Sequence, residues 1–240
     1  MKRVAITQSN YIPWRGYFDL IASVDEFILY DDMQYTRRDW RNRNKIKTGQ
    51  GTCWLTIPVE VKGKYFQKIK DTKVSDSHWF KSHWQTLSQN YKRARYYAEI
   101  AAWLEPLYLA ENQDMLSNIN YTFIAAICRY LGINTTISQS SQYQLIDGKT
   151  ERLVDICRQA GAGLYVSGPA AKDYLDVALF ERQGIDVGWA DYDGYPVYPQ
   201  QWGGFEPFVS ILDLLFNCGP ESLLYMKKPT DSLIKYKGKA

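Results

Sequence analysis

Residues 2–30 read KRVAITQSNYIPWRGYFDLIASVDEFILY, and this stretch decides the fold. Lys2–Thr7 is a short apolar run of the kind that forms a buried strand. Pro13 and Gly16 punctuate the loop that follows. Over Gly16–Ser23 the apolar residues Tyr17, Leu20 and Ile21 recur at helical spacing. Glu26–Tyr30 is a second apolar run, broken by Asp31 and Asp32. A strand, a short helix and a strand this close together predict a βαβ unit, and with it a parallel sheet.

Working outward, Cys53–Val61 alternates like a strand, with Pro58 favouring an edge position. Lys64–Val74 is expected to return as its hairpin partner around Gly63. The middle of the chain reads as helices over Ser77–Tyr91, over Tyr96–Leu109 with Pro106 as a weak point, and from an Asp114 cap to Leu131, closed by Gly132. Strands at Asn134–Ser138, Leu164–Ser167 and Ile185–Trp189 then alternate with helices at Thr150–Ala160, Lys172–Phe180 and Val209–Phe216. The expected fold class is α/β: a Rossmann-like, doubly wound and mainly parallel sheet with an inserted β-hairpin and helical segment. One domain spans 1–240, with the insertion at roughly 48–115 and a flexible tail at 227–240.

Composition narrows the function classes. The 240 residues are 45% hydrophobic and 23% charged, which excludes disorder. No apolar run approaches the ~18 residues of a spanning helix, and MKRVAITQSN enters a strand without a signal-peptide core, so no membrane span and a cytoplasmic location are expected. A net charge of +3, from 29 basic and 26 acidic residues, gives no ground for nucleic-acid binding. The four cysteines lack a C-x-x-C pair, and His78 and His83 do not share a helix face, so no metal site is expected. Aromatic residues make up 15% of the chain, including 19 Tyr and 8 Trp, and suit flat or sugar-like ligands.

Ligands of open α/β sheets bind beyond the carboxyl ends of the strands, so the loops there supply the candidates. After the first strand come Gln8, Asn10, Tyr11, Trp14, Gly16 and Tyr17, with Gly16 placed to let an anion approach the helix N-terminus. After the second, Asp31, Asp32 and Gln34 could meet a divalent metal or a sugar hydroxyl, or one carboxylate could cap the next turn. The run Arg37–Lys47 sets Arg37, Arg38, Arg41, Arg43, Lys45 and Lys47 against Asp39, with Asn42 and Asn44 interleaved. Such a run reads as a phosphate cradle in which Arg43 and Lys45 hold a pyrophosphate. Glu151 and Arg152 open a helix behind a Thr150 cap, and Ser167, Gly168 and Lys172 form a strand–turn–helix junction. A second basic cluster, Lys62–Lys73, holds five Lys. His83 or Asp32 is the candidate general base; no G-x-S-x-G or reactive-cysteine motif is present.

The segments ITQSNYIPWRGYFDLI, YDDMQYTRRDWRNRNKIKT, WLTIPV, DGKTERLVDIC, YVSGPAAKDYL and SILDLLFNCGP together resemble the WbqC-like family over about residues 3–226. That resemblance implies a place among bacterial O-antigen and other surface-polysaccharide functions, with transfer of glycine or another aminoacyl group onto an amino sugar. Ile6–Leu20 and YVSGPAAKDYL are also similar, more distantly, to nucleotidyltransferases of the HIGH type. Trp14 and Tyr17 stand where that motif has its histidines, which removes the groups that stabilise adenylyl transfer. The resulting expectation is an amide-forming N-acyltransferase acting on a nucleotide-linked amino sugar. Its donor would be a coenzyme A thioester or the phosphopantetheine thioester of an acyl or peptidyl carrier protein, with no tightly bound cofactor. An adenylate-forming ligase, a nucleotidyltransferase-like enzyme and a non-catalytic nucleotide-sugar-binding protein are the alternatives.

Overall fold

The computed structural model describes residues 1–109, 113–228 and 233–235. In chain order its strands are β1 (Arg3–Thr7), β2 (Glu26–Leu29), β3 (Arg43–Thr48), β4 (Gly51–Thr56), β5 (Thr136–Gln139), β6 (Leu164–Ser167), β7 (Asp186–Ala190) and β8 (Leu233–Lys235). The helices are α1 (Arg15–Ala22), α2 (Trp79–Tyr91), α3 (Tyr97–Leu109), α4 (Leu116–Tyr130), α5 (Thr150–Gln159), α6 (Val177–Glu181) and α7 (Ile211–Cys218).

The main sheet has the order β5-β2-β1-β6-β7-β8, parallel except for β8, and β3 and β4 form a separate antiparallel pair. Ranked by sequence, the five parallel strands run 3-2-1-4-5. This is the doubly wound arrangement, and the order reverses between β1 and β6. Alternation along each strand feeds two cores. Ala5, Phe27, Leu29, Leu164 and Val166 pack into the larger one, with α1, α4, α7 and the helical insertion. Val4, Ile6, Ile28, Tyr165 and Val187 pack into the other, against α5 and α6. Burial on both faces is why these strands read as continuous apolar runs.

Several helix ends follow from single residues. Gly132 and Gly161 adopt φ of 68° just past α4 and α5, where amides of the next residues, Ile133 and Ala162, reach back to Cys128 and Cys157 carbonyls at 2.9 Å. The Ser77 and Asp114 caps are not formed: α2 and α4 start at Trp79 and Leu116, with no side-chain cap bond. Thr150 is the first residue of α5 and instead accepts the Asp176 amide at 3.4 Å.

Two expectations need correction. The partner of β4 is not Lys64–Val74 but β3, in the register Lys45↔Trp54 across the turn at Gly49–Gln50. Segment 61–74 instead makes tight turns and touches its neighbours at isolated bridges such as Gln34↔Lys68. Lys172–Phe180 is also broken, into a 3-10 turn over Pro169–Asp173 and α6, because Asp176 caps a new start by accepting the Ala178 amide at 3.1 Å. In the stretch 227–240, Lys227 pairs with Asp191 at 2.8 Å and Leu233–Lys235 forms β8; residues 229–232 and 236–240 lie outside the described residues. No described helix is long and apolar enough to cross a membrane.

Candidate functional site

Parallel strands place the loops after β1, β2 and β6 at one end of the sheet, and side-chain bonds lock the first two together. Asp31, 4% exposed, accepts the Ser9 amide at 2.8 Å, the Ser9 hydroxyl at 2.7 Å and the Ser117 hydroxyl at 2.5 Å. Asn120 adds bonds of 2.9 Å to the Ser9 hydroxyl and to the Arg41 carbonyl. Asn44, on β3, donates to the Tyr11 and Ile12 carbonyls at 3.1 and 2.9 Å and so holds Ile12 at its positive φ of 37°. The Tyr11 amide donates to Trp40 O at 3.0 Å, closing the frame.

Between this frame and the N-terminus of α7 lies a cleft of about 350 Å³, lined by Asn10, Pro13, Trp14, Trp40, Asn44, Lys45 and Phe208. Its size is that of a small-molecule pocket, and its make-up, aromatic and apolar walls with a few polar groups, is typical of one. Two backbone bonds seat α7 there: Ser210 N to Lys45 O at 2.8 Å and Ile211 N to Pro13 O at 2.9 Å. Trp40 and Trp54 rings lie 5.5 Å apart, and the Arg43 guanidinium and Lys45 ammonium sit 4.0 and 5.2 Å from the Trp54 ring centre. These contacts present cations on the outer face of the hairpin while leaving their charge unneutralised. Asn10 accepts a hydrogen bond from Arg41, which is also 3.7 Å from Asp39.

Other expected ligand groups turn out to shape the site. A Cβ on Gly16 would stand 2.4 Å from the Trp14 ring, so the glycine makes room for that indole rather than for an anion. Tyr11 is fully buried, and Tyr17 is buried with its hydroxyl donating to Gln8 O at 3.0 Å. The Asn42 side-chain amide donates to Ile57 O at 2.7 Å, and that of the exposed Gln34 donates to Tyr65 O at 2.9 Å. Arg152 bonds to Ile146 O and lies 3.7 Å from Asp147, while Glu151 packs over Gly148. Ser167 is buried at the end of β6, and the exposed Lys172 lies over the Trp189 ring at 5.8 Å. At Gly168 the nearest atom to an added Cβ is the Tyr192 hydroxyl at 4.0 Å, so the backbone is approachable there.

Neither candidate base is free. His83 is 5% exposed, with Nε2 at 3.1 Å from the Thr56 carbonyl and Nδ1 at 2.9 Å from the Tyr11 hydroxyl. A carbonyl can only accept, so Nε2 carries the proton and Nδ1 accepts from Tyr11. Burial pushes its pKa down to about 4. Asp32 is bracketed by Lys70 at 2.9 Å, Lys68 at 3.3 Å and the Ser140 hydroxyl at 2.9 Å. Burial alone would raise its pKa, but the bonds from Lys70, Ser140 and Lys68 outweigh this and hold it below the usual carboxylate range. His83 is thus a neutral core group and Asp32 an occupied one.

Pro13, Trp40 and Phe208 also line the cleft. Phe208 carries no local signal, because only the seating of α7 on β3 brings it there. The residues beneath Trp14 form a second network. Its ring meets Tyr192 and Tyr195 edge-on at 5.2 and 5.6 Å, while the buried Arg15 donates to Pro196 O and Tyr225 O at 2.9 Å each. Among the described residues, no group of three or more His, Cys, Asp or Glu could hold a metal.

Among known proteins, the chain is similar to an uncharacterized protein of Mycobacterium tuberculosis. It is 60% identical over 227 residues, a match covering 95% of this chain and 98% of the relative. No solved structure matches the chain. The model of the WbqC-like protein family matches residues 8–225, from the loop after β1 through the hairpin, the cleft and α7, and the chain belongs to that family.

Proposed function

We propose that this protein acylates the amine of a nucleotide-linked amino sugar, forming an amide, with the acceptor held in the cleft beside Trp14. One observation carries the reading. At the carboxyl edge of the sheet, an opening of about 350 Å³ offers two indoles, the carboxamide of Asn10 and the ammonium of Lys45, with the engaged Asn44 forming part of its wall. Indole surfaces suit the apolar faces of a sugar ring, carboxamides suit its hydroxyls, and cations suit a diphosphate. Arg43 beside the cleft and Lys172 on the neighbouring loop add charge for the nucleotide end. Bacterial surface-polysaccharide biosynthesis is the setting that family membership suggests.

The donor would be a thioester, glycyl or similar, on coenzyme A or on the phosphopantetheine of a carrier protein. The amine nitrogen attacks the thioester carbonyl, a C–N bond forms, and the C–S bond breaks. With His83 and Asp32 engaged, the departing thiolate takes the amine proton, as a thiol of pKa about 8.5 is able to do. Gln8 and the backbone at Gly168 are the donors suited to the tetrahedral oxyanion. The occupied state of His83 and Asp32 also favours a second reading, a non-catalytic nucleotide-sugar binder.

Mass spectrometry of candidate nucleotide-linked amino sugars incubated with glycyl-coenzyme A or a glycyl-loaded carrier protein separates these. The proposal expects the sugar nucleotide to gain one glycyl residue without ATP. Gain only with free glycine and ATP would replace it with an adenylate-forming ligase. Binding with no gain in mass under any condition would leave the binder.

A further inference from the structure

Between Val61 and Gln67 the chain makes two successive tight turns, with Lys64 N donating to Val61 O at 3.3 Å and Gln67 N to Lys64 O at 3.4 Å. Tyr65 and Phe66 are the central residues of the second turn. They are 74% and 81% exposed, and their rings meet edge to face at 4.9 Å. The base of the turn is anchored: Gln34 donates to Tyr65 O and the Tyr35 amide to Gln67 O, both at 2.9 Å, and Gln67 donates to Glu60 O at 2.7 Å. Cations surround it. Arg37 reaches Val61 O at 3.1 Å, Lys64 pairs with Glu60, Lys68 reaches Asp32, and Lys62 is exposed beside them.

We propose that this turn anchors the protein to the surface of an anionic bilayer. Tyr65 and Phe66 enter the headgroup region, and Arg37, Lys62, Lys64 and Lys68 meet the lipid phosphates. Two adjacent rings at the apex of a fixed turn gain nothing from solvent and need a partner that covers them. Together they offer about 300–500 Å² of apolar surface, well short of the roughly 800 Å² per side of a stable protein interface. A bilayer asks for no matching pocket: it takes protruding aromatic rings at its interface, while lysine stems lie along its surface with their ammonium groups in water. Anionic headgroups attract each nearby Lys or Arg, so rings and cations reinforce one another. The proposal does not rest on the acyl-transfer reading.

Vesicle flotation tests it, using phosphatidylcholine alone and phosphatidylcholine with phosphatidylglycerol at roughly 7:3. The full chain should float with the anionic vesicles and not the neutral ones, and less so as salt is raised. Tyr65→Ser with Phe66→Ser should weaken partitioning about tenfold or more, and Lys62→Glu with Lys64→Glu similarly. All four side chains are exposed, so unchanged melting curves will show that these variants fold. Equal flotation with neutral vesicles, none with anionic ones, or undiminished flotation of the Ser variant would overturn the proposal. Salt-sensitive capture of an acidic carrier protein, abolished by the Ser variant in the absence of vesicle binding, would assign the turn to a protein partner instead.

Discussion

Replacing Asp31 with alanine should destabilise the protein by about 3–5 kcal/mol, the largest effect expected from a change at the rim that touches no part of the cleft wall. The carboxylate is the acceptor for the Ser9 amide and for the Ser9 and Ser117 hydroxyls. Each buried donor left without an acceptor costs roughly 1–3 kcal/mol, and the three act as one network, so their costs do not simply add. Asp31→Asn keeps the shape and one acceptor, and should lose roughly half as much. Urea titration of both variants checks this, with the midpoint falling at unchanged slope. A midpoint within error of wild type for Asp31→Ala would show that this frame does not hold the loop.

The second expectation concerns acid. His83 has its pKa lowered by burial from 6.5 to about 4, so it is neutral in the fold while an unfolded chain takes up a proton below 6.5. Its contribution is fully present above pH 6.5 and is lost as pH falls toward 4, which amounts to roughly 3 kcal/mol. Asp19 works the other way. Burial raises its pKa from 3.8 to about 6, against the opposing hydrogen bonds from Tyr195 and the Lys227 backbone. Stability from that group is fully present below pH 3.8 and lost as pH rises through 6, again by roughly 3 kcal/mol. In wild type the two nearly cancel between pH 6.5 and 4. In Asp19→Asn the His83 loss stands uncovered, and the variant should lose about 3 kcal/mol relative to wild type over that window. Denaturation of both proteins at pH 6.5 and 4 decides it; parallel pH dependence would contradict the assignment of Asp19, and an Asp19→Asn variant that loses no stability between these values would contradict that of His83.

The centre of the sheet was legible because β1, β2, β6 and β7 are largely buried and read as unbroken apolar runs. Leu164–Ser167 is matched to the residue, and β1 and β2 to within one. The hairpin was not, because β3 reads RNRNKIKT with its flanks, and nothing in that run resembles a core strand. Its inward positions are Asn44 and Ile46, and Asn44 is buried by bonding backbone carbonyls, which a hydrophobic pattern does not record. The rim was legible as a set of loops, since strand ends dictate where loops go. Which groups on it are free was not. His83 and Asp32 were candidates for their chemistry, and their partners Tyr11, Thr56, Lys68, Lys70 and Ser140 all lie more than 25 positions away. Phe208 needed the docking of α7.

Calorimetric titration with a nucleotide-linked amino sugar, comparing wild type with Lys45→Ala, tests the cleft most directly. Lys45 lines the cleft and has its ammonium 5.2 Å from the Trp54 ring centre, whereas Arg43 is partly committed to the Arg38 carbonyl. Losing a charge-assisted hydrogen bond to the diphosphate should weaken binding by about 1.5–3 kcal/mol, roughly ten- to a hundredfold, with a smaller loss at high salt. A Lys45→Ala variant that binds the sugar nucleotide as tightly as wild type would contradict placement of the acceptor in this cleft.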